Sequence, residues 1–216
     1  MIRLAKPLVF LLCLLPLALL AWQLATDRVG PNPVESVVHD TGLWALRLLL
    51  VTLAVTPLRR LTGWASLVRF RRMLGLFAFF YASLHLTAYL VLDRALVWHE
   101  VLADILKRPY VMVGFAAFVL LIPLAVTSTR GWVRRLGRRW QTLHRSIYLI
   151  GVLGVLHFLW LVKADLREPL IYASLLALLL AFRVPWVGSL GRLRHFRAGS
   201  AASRPGTRCG PKEAVS

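Results

Sequence analysis

Cysteine is scarce in this chain, with two among 216 residues. Cys13 lies in the first apolar run and Cys209 lies near the C-terminus. The sequence therefore has neither a disulfide framework nor the cysteine ligands of a zinc site or an iron–sulfur cluster. No Cys-x-x-Cys-His motif and no repeat of about 20–50 residues is present either.

Acidic residues are also few, nine against 27 lysines and arginines, which gives a net charge of +18. All nine lie in loops, at the ends of apolar runs or in the C-terminal tail. A transporter or channel that relays protons would favour carboxylates within the membrane, so this class is disfavoured. With 58% hydrophobic residues and a mean hydropathy of +0.68, the chain is too apolar for a soluble domain.

Long apolar runs dominate the sequence, and each is long enough to cross about 30 Å of hydrocarbon. We identify six, at residues 8–25, 39–57, 73–92, 110–127, 144–163 and 169–187. The predicted fold is all-α: a polytopic six-helix transmembrane bundle over residues 1–187. A basic tail follows at 188–216, which we expect to be disordered. The first run alternatively reads as a signal peptide, but no cleavage site follows it cleanly.

The basic residues predict the orientation of the bundle. They cluster in segments 58–72 and 128–143, which we interpret as acid-free loops, and in the tail. Lysine and arginine favour the cytoplasmic side, so these segments and both termini are predicted to be cytoplasmic. Arginines at the ends of apolar helices suit lipid headgroups, so the charge does not indicate a nucleic-acid partner.

Two histidines lie deep in different predicted spans, His85 in the third and His157 in the fifth. Both spans enter from the cytoplasm, so the two side chains are predicted to reach the same depth. Ionisable residues within a membrane usually mark function, and two imidazoles can hold a haem iron from opposite faces. Such a haem would be bound without covalent attachment. His85 taken alone is equally consistent with a packing histidine bonded to a carbonyl.

Two further residues are candidates for the site. His144 lies at the cytoplasmic mouth of the fifth span, about 20 Å along the axis from His157. It suits either a second redox centre or an interfacial position. An ideal helix places these two side chains about 140° apart, so a shared face requires a bend, for which Gly151 and Gly154 are candidate positions. Arg47 in the second span either snorkels outward or neutralises a haem propionate.

Several motifs then occur in order, from about Val34 to Phe182. The longest are Arg71-Arg-Met-Leu-Gly-Leu-Phe-Ala-Phe-Phe-Tyr-Ala-Ser-Leu-His85, Thr127-Ser-Thr-Arg, Leu136-Gly-Arg-Arg-Trp-Gln-Thr-Leu-His144-Arg and His157-Phe-Leu-Trp. In these stretches the chain resembles the MsrQ (YedZ) family. This is the haem-binding membrane subunit of the bacterial periplasmic methionine-sulfoxide reductase system, within the ferric-reductase-like transmembrane group.

The resemblance implies haem b associated with His85, His144 and His157, and it implies an FMN. It also implies a multi-pass protein of the bacterial inner membrane that takes electrons from membrane quinol. The implied partner, in a heterodimer, is a periplasmic molybdopterin-dependent methionine sulfoxide reductase that repairs oxidised proteins. The chain would then be an electron-transfer subunit rather than the enzyme that reduces the substrate.

Two alternatives stay open, a stand-alone transmembrane ferric reductase and another cytochrome b-type, quinol-linked electron carrier. Ferric reductases and NADPH oxidases carry a cytoplasmic flavin and nicotinamide domain of about 100 residues or more. Only about 30 residues follow Val187, and no G-x-G-x-x-G motif follows a strand. We therefore expect the electron donor to be dissolved in the membrane or to be another protein.

Overall fold

The computed structural model describes residues 2–162 and 165–183, with side chains from Ala5 onward. The chain divides into two compact units, residues 1–180 and 181–216, and only 181–183 of the second are described. Cys209, the predicted tail at 188–216 and positions 184–187 of the predicted sixth span lie outside the described residues.

Within the described residues the secondary structure is entirely helical, which confirms the predicted all-α class. A 3-10 turn, Ala65–Leu67, precedes the third helix, and a wider π-helical turn, Tyr89–Asp93, extends it. The α-helices are α1 (Ile2–Ala25), α2 (Pro33–Thr62), α3 (Val68–Ala88), α4 (Trp98–Lys107), α5 (Pro109–Val126), α6 (Arg130–Leu136), α7 (Arg138–His144), α8 (Ile147–Leu161) and α9 (Arg167–Ala181).

Five helical segments of the described chain are long and apolar enough to cross a membrane. They are Ala5–Ala25, Pro33–Thr62, Ala65–Asp93, Pro109–Val126 and Arg138–Leu161. Each corresponds to one of the first five predicted runs. Helix α9 has 15 described residues, about 22 Å at 1.5 Å per residue. The sixth span and the orientation of the bundle therefore stay predictions.

Helix α2 is longer than its apolar run because caps, not hydrophobicity, set its ends. The Asn32 side chain accepts a hydrogen bond from the Glu35 amide, and Pro33 occupies the first turn, where it is well tolerated. At the other end, Gly63 adopts a left-handed conformation (φ 74°), and its amide donates to the Arg59 carbonyl. The helix thus begins at Pro33 and ends at Thr62.

The basic segment 128–143, which we predicted to be a loop, instead forms α6 and α7. The Thr129 side chain caps α6 by accepting from the Trp132 amide, and Gly137, at φ 50°, separates the two helices. Arginine is a good helix former, so a strongly basic segment need not be irregular. The segment between the third and fourth spans likewise contains a helix, α4.

Two helix pairs form the centre of the first unit: α2 packs most extensively against α3, and α5 against α8. The most deeply buried side chains on these helices are Leu50, Leu53, Ala78, Tyr81 and Ile150. Large apolar side chains elsewhere are exposed, as suits helices that face lipid. Helix α1 lies against α2 and α3, and α9 contributes two leucines to the core.

Candidate functional site

His85 projects from α3 onto the backbone of α2. Its Nδ1 lies 2.8 Å from the carbonyl oxygen of Val38. Gly42, four positions later, faces the same ring so closely that a Cβ there would lie 2.9 Å from Nδ1. A carbonyl can only accept, so Nδ1 carries the proton and Nε2 keeps its lone pair.

His157 is held in the same way on the other helix pair. It projects from α8 onto α5, and its Nδ1 lies 2.7 Å from the carbonyl oxygen of Tyr110. A Cβ at Gly114 would lie 2.6 Å from that nitrogen. In both half-sites the carbonyl precedes the histidine by 47 residues, and the glycine lies one helical turn after the carbonyl.

The two half-sites meet. The ring centroids of His85 and His157 are 6.1 Å apart, and the ring planes make an angle of 77°. Metal–imidazole bonds are about 2 Å long, and the ring centre lies roughly 1 Å beyond the nitrogen. Two imidazoles on opposite sides of one metal are therefore about 6 Å apart, close to the separation observed here.

The number of protein ligands at the histidine pair indicates which kind of metal group the site can hold. Among the described residues, no three His, Cys, Asp or Glu side chains converge as a metal site. A bare zinc ion takes three or four protein ligands, whereas haem brings four nitrogens of its own and takes axial ligands from the protein. His85 and His157, each with Nδ1 already bonded, thus suit a haem held from both faces.

His144 lies apart from this pair, at the end of α7. Its ring stacks on Trp140, with centroids 3.9 Å apart, and its Nδ1 lies 3.2 Å from the Trp140 carbonyl oxygen. Its Nε2 is buried and has no hydrogen-bond partner among the described residues.

The expected bend between His144 and His157 is in a different place. The α-helix is interrupted between His144 and Ile147, and α8 then continues unbroken to Leu161. Gly151 and Gly154, proposed as bend positions, instead give room for side chains that pack against α8. A Cβ at Gly151 would lie within 4 Å of Leu53 and Leu176, and a Cβ at Gly154 would lie within 4 Å of Leu46.

Arg47 is half-buried on α2 and contacts α9. Its Nε donates to the Tyr172 hydroxyl at 2.8 Å, and its guanidinium carbon lies 5.0 Å from the Trp44 ring centroid. Apolar side chains of α2 and α9, among them Leu50 and Leu175, line the shallow groove around it. The sequence did not indicate this bond to Tyr172.

A buried carboxylate on the amphipathic helix α4 was also missed from the sequence. Asp104 accepts a hydrogen bond from the Tyr89 hydroxyl at 3.0 Å and forms ion pairs with Arg94 at 2.7 Å and Arg108 at 3.1 Å. Burial acts to lower the pKa of Arg94, but the Tyr89 hydrogen bond and the nearby carboxylates outweigh it and raise that pKa. In the sequence, the four-residue spacing of Asp104 and Arg108 on one helix could have indicated their ion pair.

This cluster around Asp104 connects the two histidine-bearing helix pairs. Tyr89 begins the π-helical turn that follows α3, and its amide donates to the His85 carbonyl. Arg108 donates to the hydroxyl of Tyr110, whose carbonyl accepts from His157. The cluster therefore holds the chain next to both histidines.

The all-helical fold agrees with a comparison to protein families. Residues 41–155, more than half of the chain, match the family described as ferric reductase like transmembrane component. The class is thus that of ferric-reductase-like transmembrane proteins. No solved structure matches the chain.

Individual relatives narrow the class. A protein of Xanthomonas campestris pv. campestris (strain 8004) is 60% identical over 186 residues, 83% of this chain and 85% of that protein. One of Xanthomonas oryzae pv. oryzae (strain MAFF 311018) is 59% identical over 185 residues, with the same coverage. One of Herminiimonas arsenicoxydans is 49% identical over 208 residues, 95% of each chain. Each is named protein-methionine-sulfoxide reductase heme-binding subunit MsrQ, and the chain belongs to this MsrQ family.

Proposed function

We propose that this protein is a haem b electron-transfer subunit of the bacterial inner membrane. It would pass electrons from the quinone pool to a periplasmic, molybdopterin-dependent methionine sulfoxide reductase. The observation that carries the proposal is the pair of facing histidines, each with Nδ1 bonded to a carbonyl. The name of the relatives, a heme-binding subunit of a methionine-sulfoxide reductase, supports it.

In this proposal His85 and His157 would hold the haem, each through its free Nε2. The bound haem supplies reversible one-electron transfer, and the protein supplies ligands, burial and orientation. The carbonyls of Val38 and Tyr110 fix which nitrogen of each ring carries the proton. A hydrogen bond from Nδ1 also makes Nε2 a stronger donor to the metal.

The route of the electrons follows from the predicted orientation. We propose that they enter in the inner half of the bilayer, around His144 and the arginine-rich segments, and leave at the outer face. His144 would serve a second haem or the input side. The outer segments Asp93–Arg108 and Lys163–Glu168 would receive the partner; residues 163–164 lie outside the described residues. FMN and quinol are proposed from the family resemblance, since no described contact assigns a position to either.

The haem assignment is tested by the visible spectrum of the purified protein. We expect a Soret band that shifts when dithionite is added. His85→Ala and His157→Ala should each lower the haem content at least about tenfold while the protein still inserts into the membrane. The control is His99→Ala, because His99 is exposed and lies outside the facing pair. A full, unshifted Soret band in both ligand variants would refute the assignment.

A second experiment tests the direction of transfer. In membrane vesicles, a reduced quinol should reduce the haem, and adding the periplasmic partner with a methionine sulfoxide should reoxidise it. Reoxidation by ferric chelates, with no response to the partner, would instead favour a stand-alone ferric reductase. Haem that NADPH reduces in purified protein, but that never responds to quinol, would contradict the proposed donor.

A further inference from the structure

We infer that Gly42 and Gly114 are positioning residues of the proposed haem site. Each gives a histidine ring the space to lie against the neighbouring helix and to donate its Nδ1 proton to the carbonyl one turn earlier. The inference rests on the proposed function, because it assumes that the two rings are axial ligands.

The distances show how little space remains. A Cβ at Gly42 would lie 2.9 Å from Nδ1 and 3.0 Å from Cε1 of His85. A Cβ at Gly114 would lie 2.6 Å and 2.8 Å from the same atoms of His157, and 3.1 Å from Cγ. Real Cβ atoms essentially never approach other heavy atoms within 3.0 Å. An alanine at either position must therefore move the ring or separate the helices.

The ring has no easy way to move. Its Nδ1 is held on one side by a carbonyl bond of 2.7–2.8 Å, and the other histidine faces it at 6.1 Å. Displacing it stretches the carbonyl bond, turns the ring plane, or shifts Nε2 away from the metal position. Each of these changes alters a ligand without removing it.

Among the other helical glycines of the described chain, the shortest contact of an added Cβ would be 3.3 Å, from Gly151 to Leu176 Cδ1, so contacts below 3.0 Å occur only at the two histidines. A Cβ at Gly75 would meet the Thr52 methyl at 3.7 Å, and one at Gly154 would meet Leu46 Cδ1 at 3.6 Å, both ordinary contacts. Neither Gly42 nor Gly114 has a positive φ. The requirement at these two positions is therefore space for the ring and not backbone freedom.

The electronic consequence is measurable. Two axial imidazoles whose planes are nearly perpendicular, as the 77° angle indicates, give a strongly anisotropic low-spin ferric EPR signal. Turning either ring changes its g values. A weakened bond from Nδ1 makes Nε2 a poorer electron donor, which destabilises the ferric state and raises the reduction potential.

The experiment compares Gly42→Ala and Gly114→Ala with two matched controls, Gly75→Ala on α3 and Gly154→Ala on α8. Haem per immunodetected protein, the ferric EPR spectrum and the midpoint potential are measured for each purified variant. We expect haem retention to fall about tenfold in Gly114→Ala and less in Gly42→Ala, following their distances. The haem that remains should show altered g values and a raised potential, while both controls match the wild type.

Wild-type occupancy, g values and potential in both test variants would overturn the inference. Alanine is a better helix former than glycine, so the variants are expected to insert. If Gly114→Ala fails to accumulate, Gly42→Ala, with the milder contact, is the deciding variant: altered haem occupancy, g values and potential support the inference, and wild-type values overturn it. The proposed function fails separately, when the wild type lacks haem or when His85→Ala and His157→Ala retain it.

Discussion

At the residue scale, Tyr81 shows how one hydroxyl can link two membrane helices. It is almost fully buried on α3, donates to the Cys13 carbonyl at 2.8 Å and accepts from the Leu17 amide at 3.1 Å. These two backbone groups of α1 would pair with each other in a regular helix, and Pro16 lies between them. The Tyr81 hydroxyl thus inserts where α1 is locally weakened.

Removing this hydroxyl should loosen α1. We expect Tyr81→Phe to lower the free energy of unfolding by about 0.5–2 kcal/mol, the range for one interhelical hydrogen bond. The measurement is equilibrium unfolding in mixed detergent and SDS micelles. Tyr110→Phe is the comparison: its hydroxyl bonds to Arg108 at an exposed position, so its loss should lower the free energy of unfolding less than the loss of the buried Tyr81 hydroxyl. Equal stability of Tyr81→Phe and wild type would contradict the role given to the hydroxyl.

Arg47 allows a test of its two predicted roles. The Nε of Arg47 donates to the Tyr172 hydroxyl. Among the described residues, the other two guanidinium nitrogens of Arg47 make no hydrogen bond, so they suit an anion such as a propionate. We expect Arg47→Gln to lower the haem reduction potential by about 20–60 mV, since loss of a nearby positive charge favours the ferric state. Tyr172→Phe should leave the potential near the wild-type value. An unchanged potential in Arg47→Gln would favour a structural or snorkelling role.

The histidine pair was predictable, but the residues that hold it were not. Counting from the arginine-rich segments predicts that His85 and His157 lie at one depth, because helical rise converts sequence distance into depth. A single sequence does not show which helix faces each ring. The positions of Gly42 and Gly114 beside the two rings could therefore be recognised only from the packing of α2 on α3 and of α5 on α8. Haem ligation by the pair stays a prediction until it is measured.

At the scale of single elements, the hydropathy pattern predicted the spans and missed the helices between them. Five apolar runs coincide with five long helices, since length and apolarity suffice to define them. Helices α4 and α6, and α7 at the start of the fifth segment, carry charged or amphipathic sequences, which a search for apolar runs does not detect. Their ends depend on caps and ion pairs, such as the Thr129 cap and the Asp104 cluster.

Helix α4 should depend on its buried carboxylate. The Asp104 and Arg94 side chains are 12% and 20% exposed, so their ion pair is largely shielded from water. We expect Asp104→Asn to weaken the attachment of α4 by about 2 kcal/mol and to speed tryptic cleavage within residues 94–108 roughly 30-fold. Asp93→Asn is the matched control, because Asp93 pairs with the same Arg94 but is 43% exposed. Similar cleavage rates in the two variants would show that burial of the pair does not matter.

At the scale of the whole molecule, the proposed site is assembled from two similar halves. The helix pairs α2–α3 and α5–α8 each supply a carbonyl, a glycine and a histidine in the same order and with the same spacing from carbonyl to histidine. The cluster around Asp104 then joins the ends of both pairs. A site of this kind cannot form from either half alone, which explains why its two ligands lie so far apart in sequence.

The orientation of the molecule gives the last prediction. Most of the 27 basic residues lie in the N-terminal segment, in segments 58–72 and 128–143 and in the tail, so these should face the cytoplasm. Green fluorescent protein fused after Gly137 or Ser216 should fluoresce, and alkaline phosphatase fused after Lys107 or Leu166 should be active. Active alkaline phosphatase after Ser216, combined with fluorescence after Gly137, would show that α9 does not cross the membrane. That result would leave the predicted equal depth of His85 and His157 unchanged, because this depth depends only on the third and fifth spans. Alkaline phosphatase activity after Gly137 together with fluorescence after Lys107 would overturn the orientation. The proposed outward route of the electrons would then be wrong as well.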